Sequence, residues 1–319
     1  MSKIIGIDVG GTYIKSGILE IPKQSGVITP PEVREFNSLP TTSDTLISCI
    51  LKLISNSNVD AAGIGVPGLV HRGIIHSSPN LPGTSNLDIL GKLSTELKIP
   101  ITVENDANMY ACGEWQYGAG KEVHNLLLLT LGTGVGGGLI LDDKLYTGTG
   151  FAGEVGHIII DANGPPCSCG SYGCLESYVS SYALIQRAVQ GIKIGLNTLL
   201  STYKTLTPEL ISAEAYKGDD FACGLITSMG YYLGIAIAGL CNVLAPEIVV
   251  IGGGIAKAGD ILFNSLRKEV ARRLYHRAEI PIVPSALGDL SGILGSAYYV
   301  TSHLDLIPSP SRGKNQIPT

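Results

Sequence analysis

Three cysteines and one histidine fall close together in the chain. Cys167-Ser168-Cys169 and Cys174 lie within eight residues, and His157 is ten positions upstream. Three thiolates and an imidazole make a closed tetrahedral Zn²⁺ set, the structural kind with no position left open for water. Cys-x-Cys is a poor local disulfide, so metal ligation is the better use of these thiols. Gly164, Gly170 and Gly173 supply the bends such a knot needs. Cys49, Cys112, Cys223 and Cys241 stand alone in apolar helical contexts and read as core. Glu154-Val155-Gly156-His157 places a carboxylate three residues before the histidine, and Glu176 follows the last cysteine by two. If the knot forms, Glu154, His157 and Glu176 are tethered to one rigid element.

A second group of polar residues, Glu104-Asn105-Asp106-Ala107, sits where a strand pattern ends and a helix pattern begins. In open α/β sheets ligands bind at that end of the strands. Asp106 there would serve equally as a helix cap or as an acid–base group. Two glycine turns complete the set, at Gly10-Gly11-Thr12 and at Gly132–Gly138. Without Cβ atoms, backbone N–H groups in such turns can approach phosphate oxygens. Gly132, Gly134 and Gly137 also satisfy G-x-G-x-x-G, but a dinucleotide fingerprint must open a helix. Here the chain continues as Leu139-Ile140-Leu141 and closes on Asp142-Asp143, which is strand–turn–strand and excludes that reading. Carboxylates and amides beside phosphate-type turns suit fixing a polyol and moving a phosphoryl group onto it.

The elements that must position these groups follow from the apolar patterning. Lys3–Val9 and Tyr13–Leu19 read as strands around the first glycine turn, and Ala61–Val66 and Ile101–Glu104 as buried strands. Helical spacing covers Thr45–Ile54, Leu87–Leu97 and Ala107–Gln116. The second half repeats the layout: Asn125–Leu131 enters the second glycine turn, about 124 positions after Asp8. Helices are expected over Ser177–Val189, Phe221–Leu244, Ile261–Leu274 and Leu290–Val300, with a strand at Ile248–Ile251 ending in Gly252-Gly253-Gly254. Strands alternating with helices predict an α/β fold with a largely parallel centre, built from two similar halves.

The chain has 319 residues, 45% of them apolar and only 15% charged, with 41 Gly and 7 Cys. That composition excludes disorder. The net charge of −5 with scattered Lys and Arg gives no basic face for nucleic acid. No charged residue occurs from Phe221 to Pro246, but polar residues and four glycines interrupt the run and no basic flank adjoins it. It therefore reads as a core helix and not a membrane span. With no signal segment before the first strand, a cytoplasmic location is expected.

These residues together resemble the ROK sugar kinases, within the actin/hexokinase/Hsp70-like ATPase fold. The carriers are Asp8-Val-Gly-Gly-Thr12, Gly63-Ile-Gly-Val-Pro-Gly68, Asn80-Leu81, Glu104-Asn-Asp-Ala107, Leu131-Gly-Thr-Gly-Val-Gly-Gly-Gly138, Glu154-Val-Gly-His157, Cys167-x-Cys-Gly-x-x-Gly-Cys-x-Glu176 and Ile251-Gly-Gly-Gly-Ile255. The resemblance implies a duplicated, ribonuclease H-like two-domain architecture with an interdomain cleft. A smaller domain would span 1–117 and a larger one with the zinc knot 118–289, a last helix at about 290–303 packing back on the first. It implies Asp106 as general base on the sugar hydroxyl, with Asn80, Asn105, Glu154, His157 and Glu176 holding the other hydroxyls. His157, Cys167, Cys169 and Cys174 would bind structural zinc. Gly11, Thr12, Gly132, Thr133 and Gly134 would contact the ATP phosphates, Asp8 would act near Mg²⁺, and Gly252, Gly253 and Gly254 would lie against the adenosine.

The implied reaction is ATP- and Mg²⁺-dependent phosphorylation of a hexose, glucose first, on its 6-hydroxyl. An acetamido-sugar kinase and a non-catalytic sugar sensor are the alternatives. Partners are then a sugar and ATP, with no nucleic acid or membrane, and a homodimer is expected. Similar glucokinases often carry a Trp shortly after the Asn-Leu pair. Here Asn80-Leu-Pro-Gly-Thr-Ser has none, which leaves the sugar open. Only seven residues precede Asp8, so the helix-turn-helix of the repressor branch is not expected.

Overall fold

The computed structural model describes residues 2–11, 13–21, 32–40, 42–275 and 279–304. Thr12, an expected phosphate contact, lies outside them. In chain order the first elements are β1 (Ser2–Val9), β2 (Tyr13–Ile21), β3 (Val33–Pro40), α1 (Leu46–Ser55), β4 (Ala61–Val66), β5 (Leu69–His71), β6 (Ile74–Ser77), β7 (Leu87–Asp88), α2 (Ile89–Glu96), β8 (Ile101–Asn105) and α3 (Asp106–Tyr117). There follow β9 (Leu126–Leu131), β10 (Val135–Leu141), β11 (Lys144–Leu145), α4 (Glu176–Val179), α5 (Ser181–Lys193), α6 (Pro208–Tyr216), α7 (Asp220–Leu244), β12 (Ile248–Gly252), α8 (Gly259–Arg273), β13 (Ile282–Pro284) and α9 (Ser291–His303). The chain divides into two compact units. One comprises Met1–Leu127, Gly138–Gly153 and Ala286–Thr319, the other Leu128–Gly137 and Glu154–Ser285.

The first unit is built on a sheet of order β3-β2-β1-β4-β8. β1 runs antiparallel to β2 and parallel to β4, and β4 runs parallel to β8. Its core is aliphatic, with Ile5, Ile7, Ile14, Ile50, Ile64 and Leu93 among the fully enclosed side chains. The other face receives α9 on a row of register-paired glycines, Gly17–Gly6–Gly63. A Cβ at Gly6 would stand 2.0 Å from the carbonyl oxygen of Ile293, and one at Gly63 1.8 Å from that of Ser296. Only glycine lets the helix backbone settle so close, and the Ser296 hydroxyl then donates to the Ile7 carbonyl at 3.1 Å. The helix also seats against α3, where Gly113 and Gly295 each face a carbonyl of the other helix.

A second sheet has the order β11-β10-β9-β12-β13, with β12 parallel to β13. The glycine-rich stretch expected as one long turn over Gly132–Gly138 is shorter. The turn ends at Gly134, and Val135–Leu141 is strand, because sheet pairing outweighs the weak strand preference of Gly136, Gly137 and Gly138. Likewise the helix expected over Ser177–Val189 divides at Ser180, which caps α5 by accepting the Ala183 N–H at 3.2 Å. α7 is long and apolar enough to cross a membrane. Its Gly230 and Gly234 instead lie against the backbone and side chains of α8, and Leu225, Ile226, Leu233 and Ile237 are buried, as for a core helix.

Candidate functional site

At the C-terminal end of β8, the backbone passes directly into α3. Asn105 is the N-cap: its Oδ1 accepts the Asn108 N–H at 3.0 Å, and its Nδ2 donates to the Gly68 carbonyl at 2.9 Å. Capping is therefore the work of Asn105, and Asp106 occupies the first helical position, half-buried, with Oδ1 accepting its neighbour Ala107 N–H at 2.8 Å. Asn105 keeps one more N–H and one more lone pair for a ligand. Beneath them Glu104 is nearly enclosed and its Oε1 accepts from Asn105 N–H at 2.9 Å and from Asn108 Nδ2 at 3.1 Å. Burial pushes the Glu104 carboxyl above its ordinary range, against those hydrogen bonds.

The first glycine turn lies in the same unit. Gly10 N–H donates to the Tyr13 carbonyl at 2.8 Å and closes the β1–β2 hairpin. An ideal Cβ on Gly11 would be 3.1 Å from the carbonyl oxygen of Asn80, so the turn and the exposed Asn80 loop are neighbours. Asp8 stands opposite Lys15 in the β1–β2 register. Burial raises its carboxyl to about 6; the Lys15 ammonium opposes this and Asp289 adds to it. A carboxylate held in that state supplies a hard oxygen donor of the kind Mg²⁺ prefers.

In the second unit the cysteine loop is stitched back on the segment after His157. Leu175 N–H donates to the Ile158 carbonyl at 3.0 Å and Ile160 N–H to the Gly173 carbonyl at 2.9 Å. Gly173, at φ +68°, leaves no room for a Cβ beside the Asp161 carbonyl. This brings His157, Cys167, Cys169 and Cys174 together, their ligand atoms all within 4.8 Å of one another. Cys169 Sγ and Cys174 Sγ are 3.7 Å apart, as are Cys167 Sγ and His157 Nδ1. Tetrahedral Zn²⁺ with Zn–S bonds of ~2.3 Å would set its sulfurs ~3.8 Å apart, so the donor set fits a closed metal site in chemistry and spacing. Burial works against the Cys167 thiolate. Hydrogen bonds from Cys169, His157 and Ser177 outweigh it and draw the thiol down to about 6.

Glu154 and Glu176 flank this loop. Glu154 precedes a single 3₁₀ turn, Val155–His157, and burial raises its carboxyl; His157 opposes the rise and Glu176 reinforces it. Glu176 begins α4, and its Oε2 accepts the Val135 N–H at 2.9 Å while Ser168 Oγ donates to Oε1 at 3.1 Å. The second glycine turn is held by Gly132 N–H to the Gly134 carbonyl at 3.0 Å and by Ser181 N–H to the Gly132 carbonyl at 2.8 Å. Thr133 between them is exposed. Gly252 closes β12, and Gly253, at φ +84°, presses on the end of β9, where a Cβ would meet the Leu131 carbonyl at 2.2 Å. Gly254 opens the following 3₁₀ turn. The glycine turns of β9 and β12 are thus adjacent. Sequence reasoning missed Glu114, enclosed on α3, which gathers the N–H groups of Ala119, Ala286 and Leu287 and the Ser291 hydroxyl. Three of those four partners are more than 170 residues away, and no local signal points to them.

Residues 4–303 match the model of the ROK family. The chain is similar to the glucokinase of Halalkalibacterium halodurans, 36% identical over 93% of this chain and 94% of that protein. It is also similar to the xylose repressor of Bacillus subtilis, 34% identical over 95% of this chain and 78% of the repressor. Among solved structures, the ROK family glucokinase from Streptomyces griseus in complex with glucose and AMPPNP superposes with a TM-score of 0.80. It is 29% identical and is covered over 98% of its length by 93% of this chain.

Proposed function

The chain belongs to the ROK family, and on that premise we propose that it is an ATP- and Mg²⁺-dependent sugar kinase, phosphorylating a hexose, glucose first, on its 6-hydroxyl. The observation that carries the reading is the start of α3, where Asn105 does the capping and Asp106 stands at the ligand end of β8. Asp106 takes the proton of the attacking hydroxyl as the oxygen closes on the γ-phosphorus. A positioned base of this kind contributes ~10²–10⁴ in rate. Phosphoryl transfer through a loose transition state asks the protein mainly for alignment and charge stabilisation. Asn80, Asn105, Glu154, His157 and Glu176 supply the acceptors and donors that hold the sugar hydroxyls. Gly11, Thr12, Gly132, Thr133 and Gly134 would contact the phosphates, and Gly252, Gly253 and Gly254 would lie against the adenosine.

Asp8 would stand near a bound Mg²⁺, which would supply charge neutralisation to the transferring group. His157, Cys167, Cys169 and Cys174 would hold a structural Zn²⁺, and the closed loop would anchor Glu154 and Glu176. A cytoplasmic homodimer completes the proposal. ADP release measured across glucose, mannose, fructose and the two N-acetylated hexosamines tests it. The expected outcome is turnover with a hexose, glucose fastest. Preference for an acetamido sugar would change the substrate but keep the reaction. The 34% identity to a repressor supports one other reading, a sugar-responsive regulator. Tight sugar binding with no ADP release for any sugar would favour it.

A further inference from the structure

Glu176 does more in this structure than face a ligand. Its carboxylate occupies the space in which a side chain on Gly134 would stand: an ideal Cβ there lies 2.5 Å from Oε2. Gly132, in the same turn, has nothing within 4 Å of its Cβ position among the described residues. Two glycines that a motif reads alike therefore serve different ends. Gly132 leaves its side open, whereas Gly134 admits a carboxylate that then takes the Val135 N–H at 2.9 Å. The other carboxylate oxygen accepts from Ser168, between two of the metal-ligating cysteines. One side chain thus ties the cysteine loop to the backbone of the β9–β10 turn.

We propose that Glu176 is a positioning residue for the nucleotide turn, so that the metal-ligand loop fixes the shape of Gly132–Val135 even when no sugar is bound. The proposal rests on the kinase reading above, in which that turn meets ATP. A charged acceptor on a backbone N–H is among the stronger hydrogen bonds in proteins, and here it holds the first residue of β10. Repulsion between the carboxylate and a phosphate works the other way. The bond from Val135 outweighs it because it adds to the Gly132 and Ser181 bonds in fixing the Gly134–Val135 end of the turn before the nucleotide arrives.

The test is titration of zinc-replete protein with Mg²⁺ and a non-hydrolysable ATP analogue, in the absence of sugar. Glu176→Ala should weaken binding about 10-fold or more, the usual consequence of losing a charged hydrogen bond. Glu176→Gln, whose amide oxygen still accepts from Val135, should stay within about 3-fold of wild type. Gly134→Ala leaves the metal loop intact but drives a methyl group into the carboxylate, and should weaken binding in the same sense. In the Glu176→Ala background the same Gly134→Ala change should cost less than about 2-fold, since the atom it collides with is gone. Wild-type affinity in Glu176→Ala or in Gly134→Ala, tighter binding in Glu176→Ala, or additive losses in the double variant would overturn the proposal. If wild type itself binds no analogue, the nucleotide reading falls along with it. If wild type binds and the variants match it, only the role of Glu176 falls.

Discussion

Asp8 is a carboxylate whose environment disfavours its charge. Burial lifts it from an ordinary 3.8 to about 6, so the folded protein binds this proton more tightly than the unfolded chain does. A raised acid of this kind costs stability above its folded pKa, and the cost disappears as pH falls below the unfolded value. The rise corresponds to at most about 3 kcal/mol. Asp8 is only half-buried at the strand end, and this solvent access reduces that to about 1–2 kcal/mol. Asp8→Asn should therefore stabilise the nucleotide-free protein near pH 7.5 by about that amount. The gain should shrink through pH 6 to 4 and vanish below about 4. Urea unfolding at a series of pH values measures this, and a gain independent of pH would contradict it. Asp8, Asp106 and the cluster of His157, Cys167, Cys169 and Cys174 were legible as candidates because each stands in a short local motif. Glu114 and the contact between Gly134 and Glu176 were not. Each joins positions far apart in sequence, and nothing in the local residues marks the partner.

Among the elements, α9 is the piece whose placement depends on the rest. It lies on glycines of β1, β2 and β4, and the turn before it hangs on the Glu114 carboxylate. Glu114→Ala would strand the N–H groups of Ala119, Ala286 and Leu287, while the Ser291 hydroxyl could still donate to the Gly288 carbonyl. A loss of about 3 kcal/mol or more in unfolding free energy is expected. Glu114→Gln, which keeps two acceptor lone pairs on one oxygen, should lose less. Equal losses in the two variants would contradict this role. At this scale the sequence is legible where apolar periodicity is strong, as in β1, β4, β8, β12, α7 and α8. It is least legible where pairing overrides propensity, as when Gly136, Gly137 and Gly138 join β10. The reading leaves α6 unassigned although its start signal is present: Thr207 accepts the Leu210 N–H and Pro208 takes the first helical position. The β5–β6 hairpin is also unassigned. Its strands are three and four residues long, too short for alternation to declare itself.

For the whole molecule, charge plays a small part and backbone a large one. In a chain of net charge −5 with scattered Lys and Arg, the proposed phosphate contacts would fall to glycine turns, helix ends and metal, and the sequence carries two such turns. The proposed metal knot would be the other global constraint, because it would close a loop otherwise rich in glycine and proline. Cys169→Ser should lose the zinc, read as one equivalent per chain in wild type, and weaken sugar affinity. Metal-free protein with unchanged sugar affinity would count against the knot as the anchor of Glu154 and Glu176. The central claim is transfer of a phosphoryl group to a sugar hydroxyl that faces Asp106. It is tested most directly by ³¹P NMR of wild type and Asp106→Asn, each with ATP, Mg²⁺ and glucose, alongside calorimetric glucose binding. The account predicts a hexose 6-phosphate resonance with wild type, and its formation at least ~10²-fold slower in the variant with glucose affinity retained. Sugar phosphate formed by Asp106→Asn at the wild-type rate would contradict it.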